Sequence, residues 1–136
     1  MSTRGIYTFK GVGQAFHVFV HYDNYPSGAA DYFRKTLTSN KVFALPRYEP
    51  DEFASGFIAT IKEVSGNVRL SPTRRSYSDV EYGYTVEPDK TDPQLLRLTA
   101  CRTNYWGIKT KETRLWTGSL IDFVLGAADK LGRGDD

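Results

Sequence analysis

Cysteine and long apolar runs are almost absent from this sequence, and each absence excludes a class of protein. The one cysteine, Cys101, cannot form an internal disulfide, and it rules out a zinc site built on paired cysteines. No apolar run approaches the ~20 residues of a membrane-spanning helix. The N-terminal residues lead directly into a strand pattern, without the apolar segment of a signal peptide. We therefore expect a soluble, cytoplasmic protein.

A strong excess of charge of either sign is also lacking. The 18 basic and 16 acidic residues leave a formal net charge of +2. A chain so close to balance has no strong field toward nucleic acid or an anionic membrane. Nucleic acid is accordingly disfavoured as a partner, and no membrane is expected.

Aromatic residues, by contrast, are abundant. The 136 residues include 9 tyrosines and 8 phenylalanines, while the hydrophobic content of 40% and the charged content of 25% are ordinary for a folded domain. Aromatic rings are costly to leave in water, so many must pack in a core and the others can form a binding face. Since no linker is long enough to separate two domains, we expect one globular domain over residues 1–136.

The strongest local pattern is an N-terminal β-hairpin. Residues 6–10 and 15–22 are rich in aromatic and β-branched side chains, and they flank the segment Gly11-Val12-Gly13-Gln14. Either glycine can adopt the positive φ that a tight turn needs. The pattern therefore predicts two antiparallel strands that turn at residues 11–14.

Helical spacing appears three times further along the chain. It predicts one helix after the turn at residues 23–28, a second that opens at Glu49-Pro50, and a third over residues 120–128. The second helix has a buried stripe of Phe53, Phe57, Ile61 and Val64. Residues 68–79 predict an exposed loop, and strands follow at 80–86, 95–102 and 113–116. The predicted fold class is α+β, an antiparallel sheet of four to five strands with about three helices packed on it, in the order β-β-α-α-β-β-β-α.

One segment, His21-Tyr22-Asp23-Asn24-Tyr25-Pro26-Ser27-Gly28, brings versatile side chains together. It places an imidazole at a strand end, a carboxylate in the turn and the free N–H groups of a helix start within a few residues. A helix N-terminus attracts anions, and histidine can transfer a proton near neutral pH. The candidate ligand-binding residues are Arg4, His21, Asp23, Tyr25 and Ser27, and the ligand would be a small anion such as a nucleotide phosphate.

Turn chemistry alone explains the same residue types. Asp23 and Asn24 form turns readily, Ser27 is a plausible N-cap, and His21 can hydrogen-bond Asp23 and lock the turn. We favour this structural interpretation of the segment over a ligand site.

The same segment, together with the opening Ser2-Thr3-Arg4-Gly5-Ile6-Tyr7, resembles a group of uncharacterised small phage and prophage proteins. In that group an N-terminal hairpin precedes a motif of the form His-aromatic-Asp-Gly-Tyr-Pro-x-Gly that leads into a helix. Here Asn24 takes the place of the usual glycine, and both residues tolerate positive φ. The resemblance implies a phage or mobile-element origin and no particular mechanism.

Basic residues beside aromatic ones mark a second candidate surface. Arg69, Arg74 and Arg75 lie in the predicted loop, and Tyr105 and Trp106 precede a second basic cluster. Such a surface can hold phosphates and stack bases, although a solvated loop has the same composition. These five residues are the candidate interaction surface.

A catalytic or metal-binding set is not evident. His17 and His21 share a strand face, but at ~3.3 Å per residue they lie roughly 13 Å apart, too far for one metal ion. Neither Ser27 nor Ser119 has the strand-turn-helix context of a nucleophile elbow, and both are better explained as helix caps. We therefore assign no catalytic residue, no metal and no cofactor.

Two functional hypotheses remain open. The first is a non-enzymatic binding protein of phage or mobile-element origin that acts on a host protein, for example as a defence inhibitor, with a homo-oligomer also conceivable. The alternative is a small nucleotide-binding or nucleotide-cleaving protein with His21 and Asp23 at the helix N-terminus.

Overall fold

Six β-strands form one mixed sheet in the computed structural model, which describes residues 2–92, 94–106 and 110–131. The strands are β1 (Gly5–Gly11), β2 (Gln14–Val20), β3 (Val68–Ser71), β4 (Tyr82–Pro88), β5 (Leu96–Asn104) and β6 (Lys111–Ser119). Their order across the sheet is β3-β2-β1-β4-β5-β6. The short strand β3 and the long strand β6 are therefore the two edges.

Three α-helices pack on one face of this sheet. They are α1 (Pro26–Thr38), α2 (Pro50–Val64) and α3 (Leu120–Leu125), and α3 continues into a 3₁₀ helix over Ala127–Leu131. Both α1 and α2 begin with proline, which fits the first helical turn because its missing N–H would have no partner there. None of the helices in the described ranges is long and apolar enough to cross a membrane. The α+β class with three helices is confirmed.

The predicted hairpin is present. Strands β1 and β2 pair antiparallel from Gly5 opposite Val20 to Gly11 opposite Gln14, which leaves Val12 and Gly13 as the turn. Gly13 has a φ of +71°, the left-handed conformation that glycine adopts without strain.

The sheet differs from the prediction in strand number, order and direction. It has six strands, because β3 forms inside the segment predicted as an exposed loop. Strand β6 is also longer than predicted, covering Lys111–Ser119 rather than residues 113–116. Strand β4 lies parallel to β1, since α1, α2 and β3 carry the chain across the sheet before it returns beside β1. The observed order of strands and helices is β-β-α-α-β-β-β-β-α.

The core between sheet and helices is aromatic. Phe57 on α2 is fully buried, and its ring centroid lies 4.7 Å from that of Tyr7, 5.2 Å from that of Phe9 and 5.3 Å from that of Phe33. The predicted stripe on α2 is correct for Phe53, Phe57 and Ile61. It is wrong for Val64, the last residue of α2, which is 51% exposed.

Candidate functional site

The turn between β2 and α1 is built around Asn24, which is fully buried. Its side-chain amide nitrogen donates to three backbone carbonyl oxygens, those of Thr3 (2.9 Å), Val20 (2.8 Å) and Tyr22 (3.0 Å). Its side-chain oxygen accepts from the Tyr7 hydroxyl at 2.6 Å, and its backbone oxygen accepts from the Tyr84 hydroxyl at 2.6 Å. Asn24 therefore ties the start of β1, the end of β2 and the core tyrosines together, and its role is structural.

The backbone of this turn differs from the prediction in two details. The positive φ falls on Asp23, at 63°, and not on Asn24, which is held by its hydrogen bonds. Gly28 lies so close to the Asp23 carbonyl oxygen that a β-carbon there would come within 1.9 Å of it, so glycine is needed for close approach. Tyr25 is the N-cap of α1, without a side-chain cap, and Ser27 lies inside the first turn because Pro26 starts the helix. The predicted N-cap role of Ser27 is thus wrong, whereas Ser119 does cap α3 and accepts from the Asp122 N–H at 3.0 Å.

Two of the predicted ligand residues, His21 and Arg4, contact other residues instead. The His21 ring packs edge-on against the Tyr22 ring, at 4.4 Å between centroids, and its backbone N–H donates to Asn67. Within the described ranges, His21 makes no hydrogen bond to Asp23. Arg4 forms an ion pair with Asp79 at 3.0 Å.

The other three, Asp23, Tyr25 and Ser27, line a shallow pocket of about 260 Å³ between α1 and the end of α2. Asp31 and Lys35 line it as well, and the Lys35 ammonium is paired with the Asp31 carboxylate at 2.7 Å. The pocket therefore presents two carboxylates, with its lysine already neutralised by one of them. This charge distribution disfavours a phosphate.

On the opposite, helix-free face of the sheet, polar side chains form one row across all six strands. Each member is the direct partner of the next in the strand register. The row runs Ser71 on β3, His17 on β2, Thr8 on β1, Thr85 on β4, Thr99 on β5 and Thr117 on β6. Because alternate residues of a strand face opposite sides, this hydroxyl-rich row lies directly behind the aromatic core.

Arg74 lies across part of this face and organises it. The segment between β3 and β4 carries it over Gly83, where a β-carbon would come within 2.5 Å of the Arg74 guanidinium. Arg74 donates to both carboxylate oxygens of Glu112, at 2.9 to 3.2 Å, and to the Thr8 hydroxyl at 2.7 Å, which in turn lies 2.8 Å from Nδ1 of His17. The side chains of Arg74 and Glu112 are only 18% and 22% exposed. A bidentate pair of this kind is a strong, rigid contact.

The protonation of the pair follows from its surroundings. Burial alone lowers the pKa of Arg74, but the hydrogen bonds and charge of Glu112 raise it further than burial lowers it. Burial alone raises the pKa of Glu112, but hydrogen bonds from Arg74 and Tyr105 outweigh it, so the pKa lies below its usual value. Burial, together with the Arg74 charge, lowers the pKa of His17. Both members of the pair are therefore ionised at neutral pH, while His17 is neutral.

The predicted interaction surface is brought together in part. The Tyr105 hydroxyl donates to Glu112 at 2.6 Å, and the Arg75 guanidinium lies over the Tyr105 ring at 5.6 Å. Trp106 follows immediately and is 66% exposed. Arg69, however, lies on β3 at the opposite edge of the sheet, paired with Phe19. Arg74 is engaged inside the protein rather than presented to a partner.

Sequence reasoning did not identify Glu112 or Thr8 as members of this network. Glu112 stood next to a predicted four-residue strand, and no spacing in the chain connects it to Arg74, 38 residues earlier. Because the predicted strand began only at residue 113, the pattern assigned Glu112 to no strand face.

Within the part of the chain that the structure describes, no group of three His, Cys, Asp or Glu side chains is placed to hold a metal ion. The Cys101 thiol is buried, and burial raises its pKa, which disfavours the reactive thiolate. Every buried side-chain nitrogen or oxygen in the described ranges has a hydrogen-bond partner.

Comparison with protein-family models, with curated proteins and with solved structures finds no match for this chain.

Proposed function

We propose that this chain is a non-enzymatic binding protein that holds a protein partner through the surface formed by Arg75, Trp106 and Lys111, here called the Trp106 surface, with the buried Tyr105 ring beneath Arg75. The observation that carries the proposal is the 66% exposure of Trp106. Trp106 directly follows Tyr105, whose hydroxyl is held by Glu112 of the Arg74–Glu112 ion pair. An indole left in water loses the free energy that its burial would supply, and tryptophan and arginine are the residues most enriched at binding hot spots.

The edge strand β6 extends the same surface. It is nine residues long, and among the residues that the structure describes it pairs with β5 alone, so the N–H and C=O groups along its outer side are available to another strand. Leu115, near its middle, is 39% exposed. An extended segment of a partner can therefore add to β6 by β-augmentation.

Charge indicates the chemistry of the partner. Arg75 and Lys111 are both exposed; Arg75 lies over the ring of Tyr105, and Lys111 pairs with Asn104 at the start of β6. The Arg75 guanidinium is oriented by a hydrogen bond to the Thr110 hydroxyl at 2.7 Å. A partner with an acidic extended segment and an apolar pocket for the indole fits this surface.

The phage or mobile-element origin rests on the resemblance of the N-terminal hairpin and the His21–Gly28 motif. A host protein as the partner, with inhibition of host defence as the outcome, is the corresponding proposal. The alternative, a nucleotide at the His21–Asp23 corner, is weaker because Asp23 and Asp31 line that pocket.

The test compares three immobilised proteins in lysate from a plausible host: wild type, Trp106→Ala, and Leu125→Ala as the matched control. Leu125 is 77% exposed on α3. The Leu125→Ala change therefore removes a similarly exposed apolar side chain from the helical side of the sheet. We expect the partner, identified by quantitative mass spectrometry and then purified, to bind Trp106→Ala about tenfold or more weakly. Leu125→Ala should bind like wild type, and thermal melts should show that both variants are folded.

Two results would overturn the proposal. One is capture of the same proteins by Trp106→Ala as by wild type. The other is a purified partner whose affinity falls in Leu125→Ala and not in Trp106→Ala, because the binding face would then be the helical one.

A further inference from the structure

A groove of about 420 Å³ opens on the helix-free face of the sheet, at the end of β5 and β6 away from Trp106. Thr99 and Thr117, the last two members of the polar row, form its floor. The β4–β5 connection forms one wall with Asp89 and Lys90, and Arg97 and Arg114 project from the strands themselves. The groove is within the size range of pockets that hold small ligands.

The floor leaves a hydroxyl proton free to donate. The side-chain oxygens of Thr99 and Thr117 lie 3.2 Å apart, so one hydroxyl donates to the other. The accepting hydroxyl then has its own proton available, and both oxygens retain capacity to accept. Such a pair is suited to the oxygen atoms of a bound anion or sugar.

Arg97 is held in place by its neighbour. One of its terminal nitrogens donates to Asp89 at 3.1 Å, which leaves the other guanidinium N–H groups for a ligand. Asp89 is fixed in turn by the N–H and hydroxyl of Thr91, at 2.8 and 2.7 Å, and by the N–H of Asp92. These hydrogen bonds lower the pKa of Asp89 to about 2, so the pair persists at neutral pH.

Arg114, on the other side of the groove, makes no side-chain hydrogen bond or ion pair with any residue that the structure describes. The lining thus contains three cations, Lys90, Arg97 and Arg114, against two carboxylates. Two guanidinium groups flanking a pair of hydroxyls match the geometry of a phosphate group, which accepts several charge-assisted hydrogen bonds at once.

From this arrangement we propose that the groove binds a phosphorylated sugar, with the phosphate between Arg97 and Arg114 over the two threonine hydroxyls. The carboxylates of Glu87 and Asp89, also in the lining, accept hydrogen bonds from sugar hydroxyls. The described lining residues include no aromatic ring on which a nucleobase could stack. Recognition is therefore of the sugar phosphate itself, whether free or as part of a nucleotide.

The experiment is calorimetric titration of the intact chain with ribose 5-phosphate, inorganic phosphate and ribose as separate probes. We expect ribose 5-phosphate to bind, inorganic phosphate to bind about tenfold more weakly, and ribose to give no measurable heat. Arg114→Gln should weaken ribose 5-phosphate binding about tenfold or more. The fold should survive, because the Arg114 side chain has no described partner to lose.

Two further variants make the test specific. Thr117→Val keeps the shape of the floor and removes its hydroxyl, so it should weaken binding several-fold. Arg69→Gln removes another exposed arginine, from β3 at the other edge of the sheet, and should bind like wild type.

Three outcomes would overturn the proposal. They are no binding of ribose 5-phosphate at millimolar concentration, equal affinity for inorganic phosphate and ribose 5-phosphate, or an equal loss of affinity in Arg69→Gln and Arg114→Gln. These titrations contain no protein partner, so their failure leaves the protein-binding proposal to its own test.

Discussion

Replacing Asn24 by alanine should destabilise this protein more than most single substitutions in its turns. The residue is fully buried, although it belongs to a connection between a strand and a helix. Its side-chain oxygen accepts from the Tyr7 hydroxyl, and its side-chain nitrogen donates to the carbonyl oxygen of Val20. These two hydrogen bonds connect the core and the end of β2 to this turn.

The magnitude follows from what each partner keeps. In Asn24→Ala the Thr3 carbonyl still accepts the backbone N–H of residue 24, and the Tyr22 carbonyl still accepts the Tyr32 hydroxyl. The Tyr7 hydroxyl keeps no described acceptor, and a buried unsatisfied group costs about 1–3 kcal/mol. The two amide hydrogens contribute about 1 kcal/mol each. The free energy of unfolding should therefore fall by about 3–5 kcal/mol.

Urea unfolding followed by far-UV circular dichroism measures this loss. Since a domain of this size has a free energy of unfolding of about 5–15 kcal/mol, Asn24→Ala should remain measurably folded. Asn67→Ala, at an exposed asparagine near the same end of the sheet, is the control and should change stability by less than about 0.5 kcal/mol.

A double-mutant cycle with Tyr7→Phe tests the assignment to hydrogen bonding. Alone, Tyr7→Phe leaves the Asn24 side-chain oxygen without this donor and should cost about 1–2 kcal/mol. In the Asn24→Ala background the same change should cost almost nothing, because the hydroxyl has already lost its acceptor. A loss below about 1 kcal/mol for Asn24→Ala, or strict additivity in the cycle, would refute the reasoning.

Two other changes test the core and the ion pair. Phe57→Ala should lower the free energy of unfolding by roughly 3–5 kcal/mol in the same urea assay, since the ring fills the centre of the aromatic core; a loss under about 1 kcal/mol would place that ring outside it. Glu112 has a folded-state pKa below its unfolded value of about 4.3, so the stability it contributes is present above that pH and is lost as pH falls through the folded pKa. Glu112→Gln should therefore be less stable than wild type at pH 7 and lose less stability between about pH 5 and pH 3, whereas parallel pH curves would contradict the network.

Short-range chemistry accounts for what could be predicted about the fold. The glycine turn at Gly13, the proline starts of α1 and α2 and the apolar stripe around Phe57 are set by neighbours within a few residues. Strand β3 could not be recognised, because it has four residues, lies at a sheet edge and buries only Val68 and Ser71. The parallel pairing of β1 and β4 is equally hidden, since it joins residues 77 positions apart that no local pattern connects.

The candidate sites divide in the same way. The sequence by itself determined an aromatic-rich α+β chain of nearly balanced charge and an N-terminal hairpin, and it favoured a structural interpretation of the turn motif. Only the tertiary structure decided that Asn24 is the centre of that motif, that Arg74 is paired inside the sheet face, and that Arg97 and Arg114 share one groove. The physical reason is that hydrogen bonds, ion pairs and grooves depend on distances across strands, and strand order is set by packing of the whole chain rather than by any local propensity.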